Sequence, residues 1–153
     1  MLHALELKVP PLALAIMFGA LMWLVSPYPL STITLPWRSG FALMLYALGS
    51  AIVLAGMLTF LRMKTTVNPT TPEATTTMIT SGIYRFTRNP MYLGFLLILI
   101  GWAIDLSNLL AFIWLPVFVW YMNRFQILPE ERALASKFPE AFTMYQRSVR
   151  RWI

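Results

Sequence analysis

The chain has 153 residues, 58% of them hydrophobic and 12% charged, with a net charge of +6 and a mean hydropathy of +0.65. Soluble domains carry about 25% charged residues, so an ordinary soluble fold is excluded. The cations flank apolar runs instead of forming one basic face, which excludes a nucleic-acid binder as well. With no cysteine and one histidine, His3, the sequence offers no disulfide, no thiolate nucleophile and no metal-ligand cluster.

Residues 9–25 are uncharged and long enough for a short membrane span. Glu6 beside Lys8, with no small-x-small site after the run, argues against a cleaved signal peptide. Residues 26–37 hold Pro27, Pro29 and Pro36 with Tyr28 and Trp37, the composition of an exposed turn with interfacial aromatics. Residues 41–61 carry no charge and form the clearest span, where Gly49 and Gly56 permit close helix contact without GxxxG spacing. Residues 62–90 form a polar linker in which Pro69 and Pro72 forbid one long helix.

Residues 91–123 contain one charge, Asp105, and are too long for a single ordinary span. The turn residues from Asp105 to Asn108 divide them into spans near 91–105 and 108–123. Pro116 is expected to kink the second of these. The tail, 124–153, reads as two short helices begun by Pro129 and Pro139, with Glu130, Glu131 and Glu140 in their first turns. Leu134, Phe138, Phe142 and Tyr145 give these helices a ragged apolar face. An interfacial amphipathic tail is the plain reading of that pattern.

The fold expected is all-α: one polytopic membrane domain over 1–153, with about four transmembrane helices and a helical tail. The linker and the tail hold most of the arginines, so the positive-inside rule puts both in the cytoplasm, and four spans put the N-terminus there too. Arg38 is the exception on the outer side. A bacterial or archaeal inner membrane is the expected location, with the bilayer as partner.

Residues 81–94, SGIYRFTRNPMYLG, concentrate the unusual chemistry. Gly82 permits a sharp turn, Pro90 suits the first turn of a helix, and Asn89 is placed to cap it. Arg85 and Arg88 add cations near the free N–H groups of that helix, an arrangement that can receive an anion. A juxtamembrane loop whose arginines face the anionic leaflet would look the same.

This stretch resembles the signature of the isoprenylcysteine carboxyl methyltransferases and their phospholipid-methyltransferase relatives. A second block, Glu130-Glu131, Leu134, Phe138, Phe142, Tyr145 and Arg150-Arg151-Trp152, is similar to theirs in order and spacing. The resemblance covers roughly residues 58–153. It implies an integral membrane enzyme that uses S-adenosyl-L-methionine in a cytoplasmic pocket between the last spans and the tail. It puts cofactor contacts at Thr76, Thr77, Met78 and Ile79, at Tyr84, at Asn89, Pro90, Met91 and Tyr92, and at Glu130; Arg88, a cation beside the helix N-terminus, is the candidate donor to the cofactor carboxylate. Asn89 stands where the eukaryotic enzymes carry histidine. Gln126 aligns with their substrate-carboxylate arginine, and Arg124 lies two residues away; these two are the candidate acceptor-binding residues. The expected reaction is methyl transfer to a lipophilic carboxylate, thiol, amine or lipid headgroup. Because the sulfonium is already activated, no catalytic base is assigned. Sterol reductases share a similar C-terminal signature, so an NADPH-dependent reductase is the alternative enzyme class, and a non-catalytic membrane scaffold the third reading.

Overall fold

A computed structural model describes residues 6–27, 36–62 and 78–153, and every element among them is helical. Helix α1, Pro11–Val25, starts on a proline whose missing N–H costs nothing in a first turn. Helix α2, Arg38–Arg62, has 25 residues, about 37 Å at 1.5 Å per residue. Of the described helices it alone is both long and apolar enough to cross a bilayer unaided. Leu43, Met44, Leu48, Leu54, Leu58 and Leu61 are exposed along it, an apolar face that water would not tolerate.

A short 3₁₀ turn, Gly82–Arg85, follows; Gly82 takes φ +62°, a conformation that favours glycine. Helix α3, Pro90–Leu106, ends at Ser107 in the left-handed region. The Asn108 side chain then accepts the Leu110 N–H at 2.8 Å and caps helix α4, Leu109–Tyr121. The hairpin expected near Asp105 to Asn108 is therefore present, and α4 continues through Pro116.

The tail departs from expectation at its start. Pro129 does not open a separate helix. Helix α4 runs through a π-helical stretch, Met122–Ile127, directly into α5, Leu128–Lys137. The Leu128 N–H reaches back to the Asn123 carbonyl, the wider π spacing. Pro129 has no N–H to give the Phe125 carbonyl four residues earlier. That carbonyl accepts the Leu7 N–H instead, at 3.0 Å. Helix α6, Pro139–Ser148, begins at its proline as expected.

Helices α2 and α3 pack backbone to backbone. A Cβ built on Gly49 would lie 2.6 Å from the Gly94 carbonyl oxygen, and one on Gly94 would lie 2.6 Å from that of Gly49. One on Gly101 would lie 3.1 Å from the Ala42 oxygen. Small residues recur at seven-residue spacing on both helices, so the contact runs along their length. Helix α1 closes the other side of the bundle, with Phe18 set edge-on to Phe118 and the Trp102 indole donating to the Gly19 carbonyl at 3.0 Å.

The bundle has two unlike ends. At one, Arg38 donates to the Ser107 hydroxyl, and the Asn108 amide donates to the Ser26 carbonyl at 3.0 Å. The other gathers residues 6–9, the 3₁₀ turn, the start of α3, the π stretch, α5 and α6. Nearly all the sequence-predicted site residues lie at this second end.

Candidate active site

The loop before α3 is laced to the last residues of the chain. The Arg88 N–H donates to the Arg150 carbonyl at 3.0 Å, and the Thr87 hydroxyl donates to that of Arg151 at 3.3 Å. The Asn89 side-chain amide also donates to the Arg151 carbonyl, at 3.0 Å. Asn89 thus occupies the N-cap position without a side-chain cap bond; its backbone carbonyl starts the helix, while its amide faces the C-terminal segment.

Arg88 is held on several sides. One guanidinium nitrogen donates to the Val149 and Gln146 carbonyls, at 2.7 and 3.2 Å, closing the C-terminus of α6. The other pairs with Glu131 at 2.9 Å. Arg151 binds the same carboxylate through two nitrogens, at 2.6 and 3.1 Å. The acidic partner of Arg88 is thus Glu131 and not its neighbour Glu130. Neighbours on a helix point about 100° apart, and α5 turns Glu131 toward the arginines and Glu130 toward α3.

Glu130 is therefore the interior carboxyl. Its partner is Tyr92, one turn into α3, whose hydroxyl donates to it. Burial pushes the Glu130 carboxyl up to about 8; the Tyr92 hydrogen bond works against this and the nearby Glu131 charge adds to it. Tyr84, from the 3₁₀ turn, is buried beside the pair and stacks edge-on with Phe60. Burial, then the neighbouring Tyr145 and Glu130, raise the Tyr84 phenol as well. The Tyr145 hydroxyl donates to the Tyr84 carbonyl at 2.7 Å, which ties α6 to the turn. Gly56 leaves room here: a Cβ there would come within 2.8 Å of Met91 and 3.6 Å of the Tyr84 hydroxyl.

The predicted residues thus fall into groups. Tyr84, Pro90, Met91, Tyr92 and Glu130 come together at the head of α3. Met78 packs with Phe142, Tyr145, Val149 and Leu134 around the tail, and Ile79 is buried. Thr76 and Thr77 lie outside the described residues. Gln126 is fully buried one turn before Glu130, and its amide donates to the Val9 carbonyl at 2.9 Å. Arg124 points away from this interior and pairs with Glu6 at 2.8 Å.

Sequence reasoning missed the segment 6–9. Glu6 binds Arg132 as well as Arg124, Leu7 caps Phe125, and Val9 holds Gln126. Pro129 was the available signal, because a proline inside a helix frees a carbonyl that some donor must reach. Asn123 was also missed; its side chain accepts from the Trp152 indole at 3.2 Å.

Two buried side-chain atoms among the described residues have no hydrogen-bond partner: Arg88 Nε and Gln126 Oε1. One is a cationic donor and the other a neutral acceptor. With the Glu130 carboxyl, the same end of the bundle holds three polar functions that a polar ligand with a cation, an anion and hydrogen-bond donors would satisfy.

These features define a class: a helical, membrane-associated protein with a buried polar site at one end of its bundle. The family model described as phospholipid methyltransferase matches residues 37–141, and the chain belongs to that family. By family it is a methyltransferase. It is 31% identical to protein-S-isoprenylcysteine O-methyltransferase A of Arabidopsis thaliana over 113 residues, 74% of this chain and 57% of that protein. It is 29% identical to the protein-S-isoprenylcysteine O-methyltransferase of Schizosaccharomyces pombe over 72 residues, 47% of this chain and 30% of that protein. It is also 44% identical, over 63 residues, to an uncharacterized protein of Haemophilus influenzae; that is 41% of this chain and all of the relative. The chain therefore spans just over half the length of the plant enzyme it matches. No solved structure matches it.

Proposed function

We propose that the chain transfers a methyl group from S-adenosyl-L-methionine to a lipophilic acceptor, at a site between the head of α3 and the α4–α5 helix. The observation that carries this reading is Glu130, a half-buried carboxyl with the Tyr92 hydroxyl as its partner and an acidity pushed toward that of a neutral group. A carboxyl whose acidity is this far weakened by its surroundings is a frequent mark of a functional site. The ammonium of S-adenosyl-L-methionine would bring such a residue a partner of the right charge.

The bound cofactor supplies an activated methyl group. This chain's residues would hold it as follows. Glu130 takes its ammonium, with Tyr92 fixing the carboxyl. Arg88 Nε offers a charged hydrogen bond to its carboxylate. Tyr84, Met91 and Ile79 give apolar walls. Asn89 and Pro90 shape the start of α3. On the acceptor side stands Gln126, while Arg124, bonded to Glu6, keeps residues 6–9 against it. Helices α1 to α4 would all cross the bilayer, α2 unaided and the shorter three packed beside it. The tail end, with its arginines, would face the cytoplasm. The acceptor would then enter sideways from the lipid.

Calorimetry of the detergent-purified protein tests this. S-adenosylhomocysteine should bind and NADPH should not. Binding of NADPH alone would return the chain to the reductase reading, and binding of neither would leave a scaffold.

A further inference from the structure

The carboxylate of Glu6 spans the junction between α4 and α5. One oxygen accepts from Arg124, inside the π stretch, at 2.8 Å, and the other accepts from Arg132, two residues beyond Glu130. The two arginines stand eight positions apart. In an uninterrupted α-helix eight residues turn about 800°, two full turns and about 80° more. The π stretch has more residues to the turn and winds back part of that angle, so both guanidinium groups meet one short side chain. The Glu6 bridge thus suits the π register and opposes the α one.

The backbone beside Glu6 supports the same register. Pro129 leaves the Phe125 carbonyl without its helical donor, and the Leu7 N–H takes that place at 3.0 Å. Leu7 does so at φ +57°, a left-handed conformation that leucine rarely adopts. Strain of this kind persists only where the surroundings over-determine it. The register matters to Glu130, because the direction of this residue around the axis follows from how the chain winds through Met122–Ile127. Relaxation of that stretch to α geometry, with no residue removed, would rotate α5 by roughly 100°, one residue's worth. Glu130 would leave Tyr92, and Arg132 would leave Glu6 in the same movement.

We propose that Glu6 and Leu7 are positioning residues for the site: they hold the α4–α5 junction in its π register and so keep the Glu130 carboxyl against Tyr92. The purpose of this arrangement, the placing of a cofactor contact, rests on the methyltransferase reading. The geometry itself depends on no ligand. Neither residue touches the reacting groups; both act through the winding of one helix. A segment that only adds stability would lower the unfolding temperature on mutation and leave the surroundings of Glu130 as they are.

The experiment uses the full chain in detergent and follows the Glu130 carboxyl by infrared pH titration, its protonated C=O band identified by its loss in Glu130→Gln. In the parent the band should vanish with a midpoint near 8. Glu6→Gln leaves one acceptor oxygen for two arginines, and Leu7→Pro removes the N–H given to Phe125 without changing any charge. In both, the midpoint should fall by at least one pH unit, because a carboxyl turned out of the bundle regains water. Leu7→Gly keeps the N–H and takes φ +57° readily, so it should titrate as the parent does. So should Lys8→Ala, whose side chain is exposed on the same segment. Calorimetry with S-adenosylhomocysteine should then show at least fivefold weaker binding in Glu6→Gln and Leu7→Pro. A parent that binds no S-adenosylhomocysteine defeats the cofactor reading, and the titration still decides the positioning. Parent-like midpoints in Glu6→Gln and Leu7→Pro, a fall as large in Lys8→Ala, equal falls in Leu7→Gly and Leu7→Pro, or no band that depends on Glu130 would each overturn the proposal.

Discussion

Tyr92 donates its hydroxyl hydrogen to Glu130 across 38 positions of sequence and so joins the head of α3 to the first turn of α5. Losing a hydrogen bond that involves a charge costs about 1.5–3 kcal/mol, roughly tenfold or more in affinity. Glu130→Gln should therefore weaken S-adenosylhomocysteine binding at least tenfold by calorimetry. Tyr92→Phe should weaken it by less, because the carboxylate survives. Parent-like affinity in both variants would remove the pair from the site.

The Glu130 carboxyl is pushed up to about 8, against an ordinary value of 4.5. Between those two values the unfolded chain has lost this proton while the folded protein retains it, so this group's contribution to stability declines as pH rises through the window. The Glu130→Gln variant should accordingly gain on the parent in thermal unfolding as pH rises from about 5 to about 8. A cationic ligand group placed on Glu130 favours the ionised form. Binding near pH 7 should then release a proton and tighten as pH approaches about 8. Calorimetry in buffers of different ionisation heat reads this directly, and Glu130→Gln should release none.

Glu131 has another task. Its side chain is 11% exposed and paired with Arg88 and Arg151, whose side chains are 12% and 34% exposed. A fully buried pair broken on one side costs about 3–5 kcal/mol. With Arg151 partly in solvent, about 2 kcal/mol is the better expectation. Glu131→Gln should lower the unfolding temperature in detergent by roughly 4–8 °C and leave S-adenosylhomocysteine affinity within about threefold of the parent. A tenfold affinity loss with an unchanged unfolding temperature would reverse the two glutamates.

The α2–α3 contact has no spare volume at Gly49 and Gly94. Gly94→Val brings methyl groups against the Gly49 carbonyl and should cost at least the ~1–3 kcal/mol of an overpacked core. Gly40→Val, with nothing within 4 Å of the added Cβ, should be near neutral. Fluorescence-detected gel filtration after a heating series would separate them.

Topology can be read with introduced cysteines, since the chain has none of its own. Leu109 and Ser148 are exposed at opposite ends of the bundle. Ser148→Cys should react with an impermeant maleimide only from the cytoplasmic side and Leu109→Cys only from outside. Labelling of both from one side would sink the proposed orientation.

Much of the helical framework was legible because prolines and charges mark it. Pro90 and Pro139 sit in the first turns of their helices, the turn ending at Asn108 divides α3 from α4, and the charge-free run corresponds to α2. Tyr84, Tyr92 and Glu130 were named by motif, and the structure brings them together. The junction at Pro129 was not legible. A proline announces a helix start or a lost bond equally well, and the donor that replaces the bond, Leu7, lies far off in sequence. Which of Glu130 and Glu131 stands opposite Arg88 was hidden for a related reason. Adjacent residues differ by about 100° around a helix, and the phase of α5 is set by the π stretch before it.

That stretch also says where this chain can change length. A π turn accommodates one residue more than an α turn while the helices on either side stay in phase. Loss of a single residue within Met122–Ile127 would let the helix close to ordinary α geometry with Glu130 still beneath Tyr92. The same loss inside α4 would swing Glu130 about 100° away. Among relatives, insertions and deletions of one residue in this helix should therefore collect at the π stretch and avoid the turns that flank it.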